Sequence, residues 1–274
     1  MISDITVSSC LDKYLIYINE EKHFSDNTVS SYRHDISVFI SYLDDRGIEY
    51  PGSVSSIVME NYILFLEEEG YKASSIIRNA AAVKSFYEFL KLKNITAADP
   101  AADIKLPEPR PNAPVILTVR EVDALLAAPS GDECLQVRDK AILELLYASG
   151  MRVSELIKLR PDSINQSAGY VRCRRKGKIH IIPLGSSART ALTTYISSAR
   201  WELLRDLDAP DDLPLFLNYN GRPLSRQGLW KIIKKYAVKA GITGEISPDM
   251  LRHSLAVHLI QQNGDLSAVR RLLG

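Results

Sequence analysis

The sequence has few of the features that mark membrane, secreted or metal-holding proteins. No apolar run reaches the roughly 18 residues that a membrane-spanning helix needs, and the N-terminal stretch MISDITVSSC shows no signal-peptide pattern. The three cysteines, Cys10, Cys134 and Cys173, are odd in number and far apart, and only five histidines are present. These absences predict a cytoplasmic protein with no disulfide framework and no metal site or cofactor.

The composition describes a globular protein with an uneven distribution of charge. The 274 residues are enough for two domains, and 46% of them are hydrophobic. Residues 1–106 hold 10 basic and 16 acidic residues, whereas residues 107–274 hold 24 and 17. A basic C-terminal half favours a polyanionic partner, although ordinary surface charge that happens to be uneven explains the same numbers.

A proline-rich stretch divides the chain. The segment KLPEPRPNAPVILT, residues 105–118, contains four prolines, which disfavour a helix and favour an extended connector. We therefore predict one domain over residues 1–106, a linker over 107–117 and a second domain over 118–274.

The first domain is predicted to be a bundle of four helices. Apolar residues recur at helical spacing in SSCLDKYLIYINEEK, SDNTVSSYRHDISVFISYLDDRG, SIVMENYILFLEEEG and SSIIRNAAAVKSFYEFLKLK. Five aromatic residues are predicted to be core residues, not platforms for stacked bases: Tyr32, Phe39, Phe86, Tyr87 and Phe89. One exposed face is a candidate for phosphate contacts, with a solvated helix face as the alternative, and it consists of Lys72, Ser74, Ser75, Arg78 and Lys84.

The second domain is predicted to be mostly helical with one small sheet. Thr118 caps a helix with Glu121 at capping-box spacing, and Gly150 ends the next helix. Alternating residues on both sides of Lys176-Gly177 predict a β-hairpin. Helices are predicted at SSARTALTTYISSARWELL, SRQGLWKIIKKYAVKAG, SPDMLRHSLAVHLIQQNG and DLSAVRRLLG. The fold class is therefore mainly α (α+β).

Arg152 follows the glycine that ends a helix, and Glu155 stands three residues later. A turn that presents an arginine beside a carboxylate fixes the planar guanidinium, which suits a phosphate or carboxylate ligand. A purely structural ion pair between Arg152 and Glu155 is the alternative.

The predicted hairpin tip is crowded with positive charge. Arg174, Arg175, Lys176 and Lys178 surround Gly177, and such a turn is more stable against an anion because like charges repel. Non-specific contact with DNA accounts for most of these residues, and a solvated basic turn is the alternative.

The stretch SPDMLRHSLAVHL begins a helix with Ser247 as its cap. Arg252 and His253 lie one turn in, where backbone amides and the helix dipole already favour anions. Asp249 is equally well explained as an acidic residue in a first helical turn, paired at i,i+3 with Arg252.

Taken together and in this order, these motifs resemble the tyrosine site-specific recombinases, most closely the Xer-type and phage-integrase-like members. The resemblance covers nearly the whole chain. The helical N-terminal part is similar to the family's SAM-like core-binding domain, YASGMRVSELIKLRPDSIN is similar to its first arginine box, and LRHSLAVHLIQQNGDLSAVRRLLG to its second.

The resemblance implies a metal-free transesterification on double-stranded DNA through a 3′-phosphotyrosyl intermediate. Arg152 and Arg252 would stabilise the pentacoordinate phosphorane, and Lys176 would protonate the departing 5′-oxygen. Glu155, with His253, would support this geometry. The implied partners are DNA, further copies of the chain assembled as a tetramer on DNA, and a partner recombinase.

The sequence departs from the family pattern at three places. Asp249 stands where the family usually has histidine, and Arg175 where it usually has glycine in a slightly longer turn. The sequence ends at RRLLG, before the family's second histidine and its tyrosine nucleophile. We therefore expect this chain to bind DNA, to lack cleavage activity and to self-associate weakly. The alternatives are a non-catalytic DNA-binding protein on this scaffold, or a purely structural helical protein.

Overall fold

The computed structural model describes residues 5–97, 99–104, 106–107, 115–175, 177–204, 213–244, 246–263 and 269. The chain divides into two compact units, Met1–Asn112 and Ala113–Gly274. Among the described residues, no helix is both long and apolar enough to cross a membrane.

The N-terminal unit contains the four predicted helices, which are confirmed as α1 (Val7–Glu20), α2 (Asp26–Asp44), α3 (Ser56–Glu68) and α4 (Ala73–Leu92). Hydroxyl groups cap three of them, because a side-chain oxygen at the N-cap accepts a hydrogen bond from an otherwise unpaired amide of the first turn. The capping residues are Thr6, Ser25 and Ser55.

Aromatic side chains fill the core of this unit. Phe39, Phe86, Tyr87 and Phe89 are buried, and Tyr32 packs partly buried against them, which confirms their prediction as core residues. The rings meet mainly edge to face or tilted, the arrangement that their quadrupoles favour. These rings are therefore not available for stacking on a ligand.

The C-terminal unit is mostly helical with one small sheet, as predicted. Its helices are α5 (Val119–Ala127), α6 (Cys134–Ser149), α7 (Val153–Leu156), α8 (Ser186–Thr194), α9 (Arg200–Leu204), α10 (Arg226–Lys239) and α11 (Pro248–Asn263). A π-helical segment, Tyr195–Ala199, joins α8 to α9 within the single helix that the sequence predicted. The last predicted helix, DLSAVRRLLG, lies outside the described residues except for Val269.

The sheet consists of β1 (Ile164–Asn165), β2 (Tyr170–Arg175) and β3 (Lys178–Pro183), antiparallel in that order. The hairpin of β2 and β3 is confirmed, with Arg175 opposite Lys178 and Gly177 in the left-handed region at φ +78°. Strand β1 was not predicted, because two residues are too few to show an alternating pattern.

Local signals set the ends of the helices in this unit. Thr118 and Glu121 form the predicted capping box at the start of α5. Gly150 ends α6 in the left-handed conformation, at φ 54°. The amide of Leu117 donates to Ser254 Oγ at 2.9 Å, so the segment that leads into α5 is tied to α11.

Candidate active site

Arg152 lies at a turn whose geometry is set by Glu155. It is the N-cap residue of α7, and Glu155 Oε2 accepts a hydrogen bond from the Arg152 amide at 2.9 Å. Arg152 Nη1 lies 3.3 Å from Glu155 Oε1, so the ion pair considered as the structural alternative is present. The Arg152 side chain nevertheless remains 50% exposed, which leaves part of its guanidinium open to a ligand.

The structure corrects the expectation for Arg175. We expected this residue among the exposed basic residues of the hairpin tip, but its side chain is only 4% exposed. Arg175 follows Val171 and Cys173 on the inward face of β2, and its Nε donates to Glu155 Oε2 at 3.1 Å. Arg174 and Lys178 are exposed as expected, and Lys176 lies outside the described residues.

Arg252 connects α11 to the turn that precedes Arg152. Its Nη1 donates to the carbonyl oxygen of Gly150 at 2.5 Å, across 102 residues of sequence. Burial lowers the pKa of Arg252, and the positive charges of Arg152 and Arg175 lower it further. Because a charge so placed lacks part of its hydration, it interacts strongly with an anion that approaches it.

The first turn of α11 holds the remaining predicted residues. Ser247 Oγ accepts from the amide of Met250 at 3.3 Å, which confirms the predicted cap. Asp249 and His253 are both exposed at the surface of this helix. The carboxylate of Asp249 is close enough to Arg252 to oppose the lowering of its pKa.

A cleft of about 1,010 Å³ opens between the Arg152 turn and the hairpin. Its basic lining residues are Arg152, Lys158, Arg160, Arg172, Arg174, Arg175 and Lys178. Among the described residues that line it, Glu155 and Asp162 are the acidic ones. A cleft with this balance of charge concentrates its positive potential and suits a polyanion.

Of the five candidate phosphate contacts on or next to α4, four are exposed and Ser75 is partly buried. Lys72, Ser74 and Arg78 are exposed at its N-terminal half. Lys84 is six positions from Arg78, or about 120° around the helix axis, and its Nζ lies 3.5 Å from the carbonyl oxygen of Ala102.

Arg78 also has a structural partner that the sequence did not reveal. Its Nη1 lies 2.5 Å from Oδ2 of Asp35, whose side chain is 2% exposed. Burial raises the pKa of the Asp35 carboxyl, and the charge of Arg78 opposes that shift. Arg78 therefore stabilises a buried carboxylate of α2 in addition to presenting charge to solvent.

Replacing Arg78 by methionine is expected to lower the free energy of unfolding by about 1–3 kcal/mol, because Asp35 loses its charged donor. Without Arg78 the folded-state pKa of Asp35 is raised further, so the loss is largest at neutral pH. It shrinks as pH falls through the raised folded-state pKa that Asp35 has in the variant, because the carboxyl is then protonated in the folded state and needs no charged donor. Urea unfolding of Arg78→Met across this pH range measures the effect. Lys84→Met is the control, and equal losses for both variants would contradict the assignment.

Helix α10 carries a basic face to which the sequence analysis gave no function. Arg226, Trp230 and Lys234 recur every four residues and are exposed, with Lys231 beside them. Lys234 Nζ lies 4.6 Å from the centre of the Trp230 ring, whose Nε1 donates to the carbonyl oxygen of Ile246. The spacing of basic residues around a tryptophan was the signal that could have identified this face.

The family profiles and relatives agree along almost the whole chain. The profile of the phage integrase family matches residues 116–274, and that of the phage integrase N-terminal SAM-like domain matches residues 11–94. Tyrosine recombinase XerD of Halalkalibacterium halodurans is 40% identical over 271 residues, which cover 98% of this chain and 90% of the relative. Tyrosine recombinase XerC of Roseiflexus sp. is 41% identical over 266 residues, 96% of this chain and 84% of the relative.

Solved structures show the same fold. A lambda integrase (75–356) dimer bound to a COC′ core site has a TM-score of 0.75 at 18% identity, over 98% of this chain and 92% of that one. The crystal structure of XerA recombinase has a TM-score of 0.52 at 25% identity, over 97% of this chain and 89% of that one. Arg252 contacts the turn that presents Arg152, and the family profile matches residues 116–274. The chain belongs to the phage integrase family of tyrosine recombinases, and it is similar to the Xer members.

Proposed function

We propose that this chain binds double-stranded DNA and carries the phosphate-activating residues of a site-specific recombinase. The observation that carries the proposal is the convergence of two arginines on one turn. Arg252 donates to the carbonyl oxygen of Gly150, two residues before Arg152, so it is bound to the turn from which Arg152 lines the basic cleft.

Two fixed guanidiniums are suited to phosphoryl transfer. When a hydroxyl attacks a phosphodiester, negative charge accumulates on the non-bridging oxygens of the pentacoordinate transition state. Donors fixed in advance stabilise that charge more than they stabilise the ground state. Arg152 and Arg252 supply this charge in our proposal. Lys176 gives its proton to the departing 5′-oxygen in the same proposal.

The nucleophile in this proposal is a tyrosine hydroxyl, which forms a 3′-phosphotyrosyl bond. That bond conserves the energy of the phosphodiester, so a 5′-hydroxyl can later reverse the step. All thirteen tyrosines of this sequence lie in the described part. Six of them are fully buried: Tyr14, Tyr42, Tyr62, Tyr87, Tyr195 and Tyr236. Tyr147 forms a hydrogen bond with His258 at 2.8 Å. We assign none of the thirteen as the nucleophile.

The proposed DNA contacts come from three surfaces of the two units. These are the basic cleft, the exposed face of α10 and the N-terminal half of α4 with Lys72, Ser74 and Arg78. Lambda integrase relatives were solved on DNA as a dimer and, on a Holliday junction, as a tetramer. We propose duplex DNA and further copies of the chain, or a related recombinase, as partners by analogy with them.

The competing proposal is a DNA-binding protein without cleavage activity. Asp249 favours it, because a carboxylate repels the phosphate and is a weaker base than imidazole. The two proposals differ in whether a covalent protein–DNA adduct forms. A nicked duplex incubated with the protein should yield a protein–DNA species that survives denaturant and is lost in Arg152→Ala. Binding without any adduct would favour the competing proposal.

DNA affinity is expected to fall steeply with salt, because phosphate contacts release counterions. Each lysine removed from the contact should reduce the slope of log affinity against log salt by about 0.9. Lys231→Ala and Lys234→Ala are expected to show this change in titrations from low to high salt. Lys93→Ala is the matched control. Lys93 belongs to the N-terminal unit, away from α10 in the sequence, and forms an ion pair there with Glu21. Affinity of the unaltered chain that is independent of salt would contradict the DNA interface.

A further inference from the structure

The last inward position of β2 is occupied by an arginine, which is an expensive residue to bury. Strand β2 alternates between buried and exposed residues, and Val171, Cys173 and Arg175 share the buried face. Removing a guanidinium from water costs several kcal/mol unless a partner of opposite charge compensates. Glu155, itself only 9% exposed, provides that partner 20 residues earlier in the chain.

Glu155 binds Arg152 and Arg175 at the same time. Its Oε1 lies 3.3 Å from Arg152 Nη1, and its Oε2 accepts from the Arg152 amide at 2.9 Å and from Arg175 Nε at 3.1 Å. A carboxylate with one flexible donor can rotate with that donor. A carboxylate that is also held from a rigid strand cannot, so the orientation of Arg152 depends on Arg175.

The exposures of the two arginines separate their roles. Arg152 is 50% exposed and lines the cleft, whereas Arg175 is 4% exposed and lies behind Glu155. Arg175 is also the residue directly before the turn, in register with Lys178 across the hairpin. The same contact therefore fixes the end of β2 against α7, whose N-cap residue is Arg152.

We propose that Arg175 is a positioning residue for phosphate binding, which holds Arg152 in its ligand-binding orientation through the shared carboxylate of Glu155. The proposal rests on the proposed function, since it assumes that Arg152 contacts a DNA phosphate. The positive charge of Arg175 also acts on Arg252, because it contributes to the lowered pKa of that residue.

A double-mutant cycle on DNA affinity tests this coupling. The chain, Arg152→Ala, Arg175→Met and the double variant are titrated with a duplex of fixed sequence at one salt concentration. Arg152→Ala is expected to weaken binding about 10-fold when Arg175 is present, as expected for a charge-assisted contact. In the Arg175→Met background the same change is expected to cost about 2-fold or less, because Arg152 has already lost its orientation.

Arg174 provides the matched control. It is the neighbouring arginine of the same strand but is exposed on the outward face. In the Arg174→Met background, Arg152→Ala should still cost the full factor. A purely structural role of Arg175 would lower thermal stability and the active fraction, but would leave the cost of Arg152→Ala unchanged in the protein that remains folded.

The outcomes separate this proposal from the one on which it rests. Equal costs of Arg152→Ala in the two backgrounds overturn the positioning role alone. An unaltered chain that does not bind DNA, or one in which Arg152→Ala costs nothing, overturns the phosphate role and this proposal together. If Arg175→Met does not fold, Arg175→Lys keeps the charge but loses the Nε donor. That variant is expected to reduce the cost of Arg152→Ala to an intermediate value, and an unchanged cost overturns the proposal.

Discussion

Replacing Glu155 by alanine is expected to lower the free energy of unfolding by about 3–5 kcal/mol, because it removes the carboxylate from a buried ion pair. Three donors lose an acceptor at once: the amide of Arg152, the Nη1 of Arg152 and the Nε of Arg175. Arg152 is half-exposed and regains water. Arg175 is buried and cannot, so most of the loss comes from Arg175.

Glu121 is the matched control for this prediction. It is also a glutamate at the third position of a helix, where it accepts from the Thr118 amide at 2.7 Å, but it is partly exposed and its partner there is Thr118, not a buried arginine. Glu121→Ala should therefore cost much less than Glu155→Ala, because water replaces the lost contacts. Urea unfolding followed by circular dichroism compares the two variants. Similar losses for both would mean that the ion pair with Arg175 contributes little.

Replacing Asp249 by histidine is expected to accelerate DNA cleavage about 100-fold, the lower end of what general acid–base catalysis contributes. Asp249 lies exposed in the first turn of α11, three residues before Arg252, and its charge acts on that arginine. An imidazole at this position can take a proton near neutral pH and does not repel the phosphate. The rate of covalent adduct formation in a single turnover measures the effect.

Asp249→Asn separates the two causes. It removes the repulsion without adding a base, so it should recover only part of the gain. An aspartate-to-histidine variant that forms the adduct no faster than the unaltered protein would show that Asp249 does not limit the chemistry. Equal rates for the histidine and asparagine variants would attribute the whole effect to charge.

Much of the fold could be predicted from local patterns, because the residues that begin and end an element act over a few positions. Thr118 and Glu121 cap α5 within one turn, and Gly150 ends α6 because it adopts the left-handed conformation without strain. The alternation on both sides of Gly177 similarly predicted the hairpin. Strand β1 was not predicted, because two residues show no alternating pattern and form a strand only by pairing with β2.

The candidate site shows which features follow from the sequence and which depend on the tertiary structure. The residue types at Arg152 and Arg252, and the order of their motifs, were enough to indicate a phosphate-handling recombinase. The alternation along β2 also places residue 175 on the same inward face as residues 171 and 173. We nevertheless expected Arg175 to be exposed because it is charged. Its partner could not be predicted, since Glu155 belongs to a different element 20 residues earlier.

The sequence by itself determined the family, the helical content, the hairpin and the identity of the cationic residues, since each depends on residue type and short-range spacing. Only the tertiary structure decided which of these cations have partners. Arg78 meets Asp35 across 43 residues, Arg252 meets Gly150 across 102, and Arg175 meets Glu155 under the hairpin. The physical reason is that the cost of burying a charge depends on the distance to its counter-charge, and packing alone sets that distance.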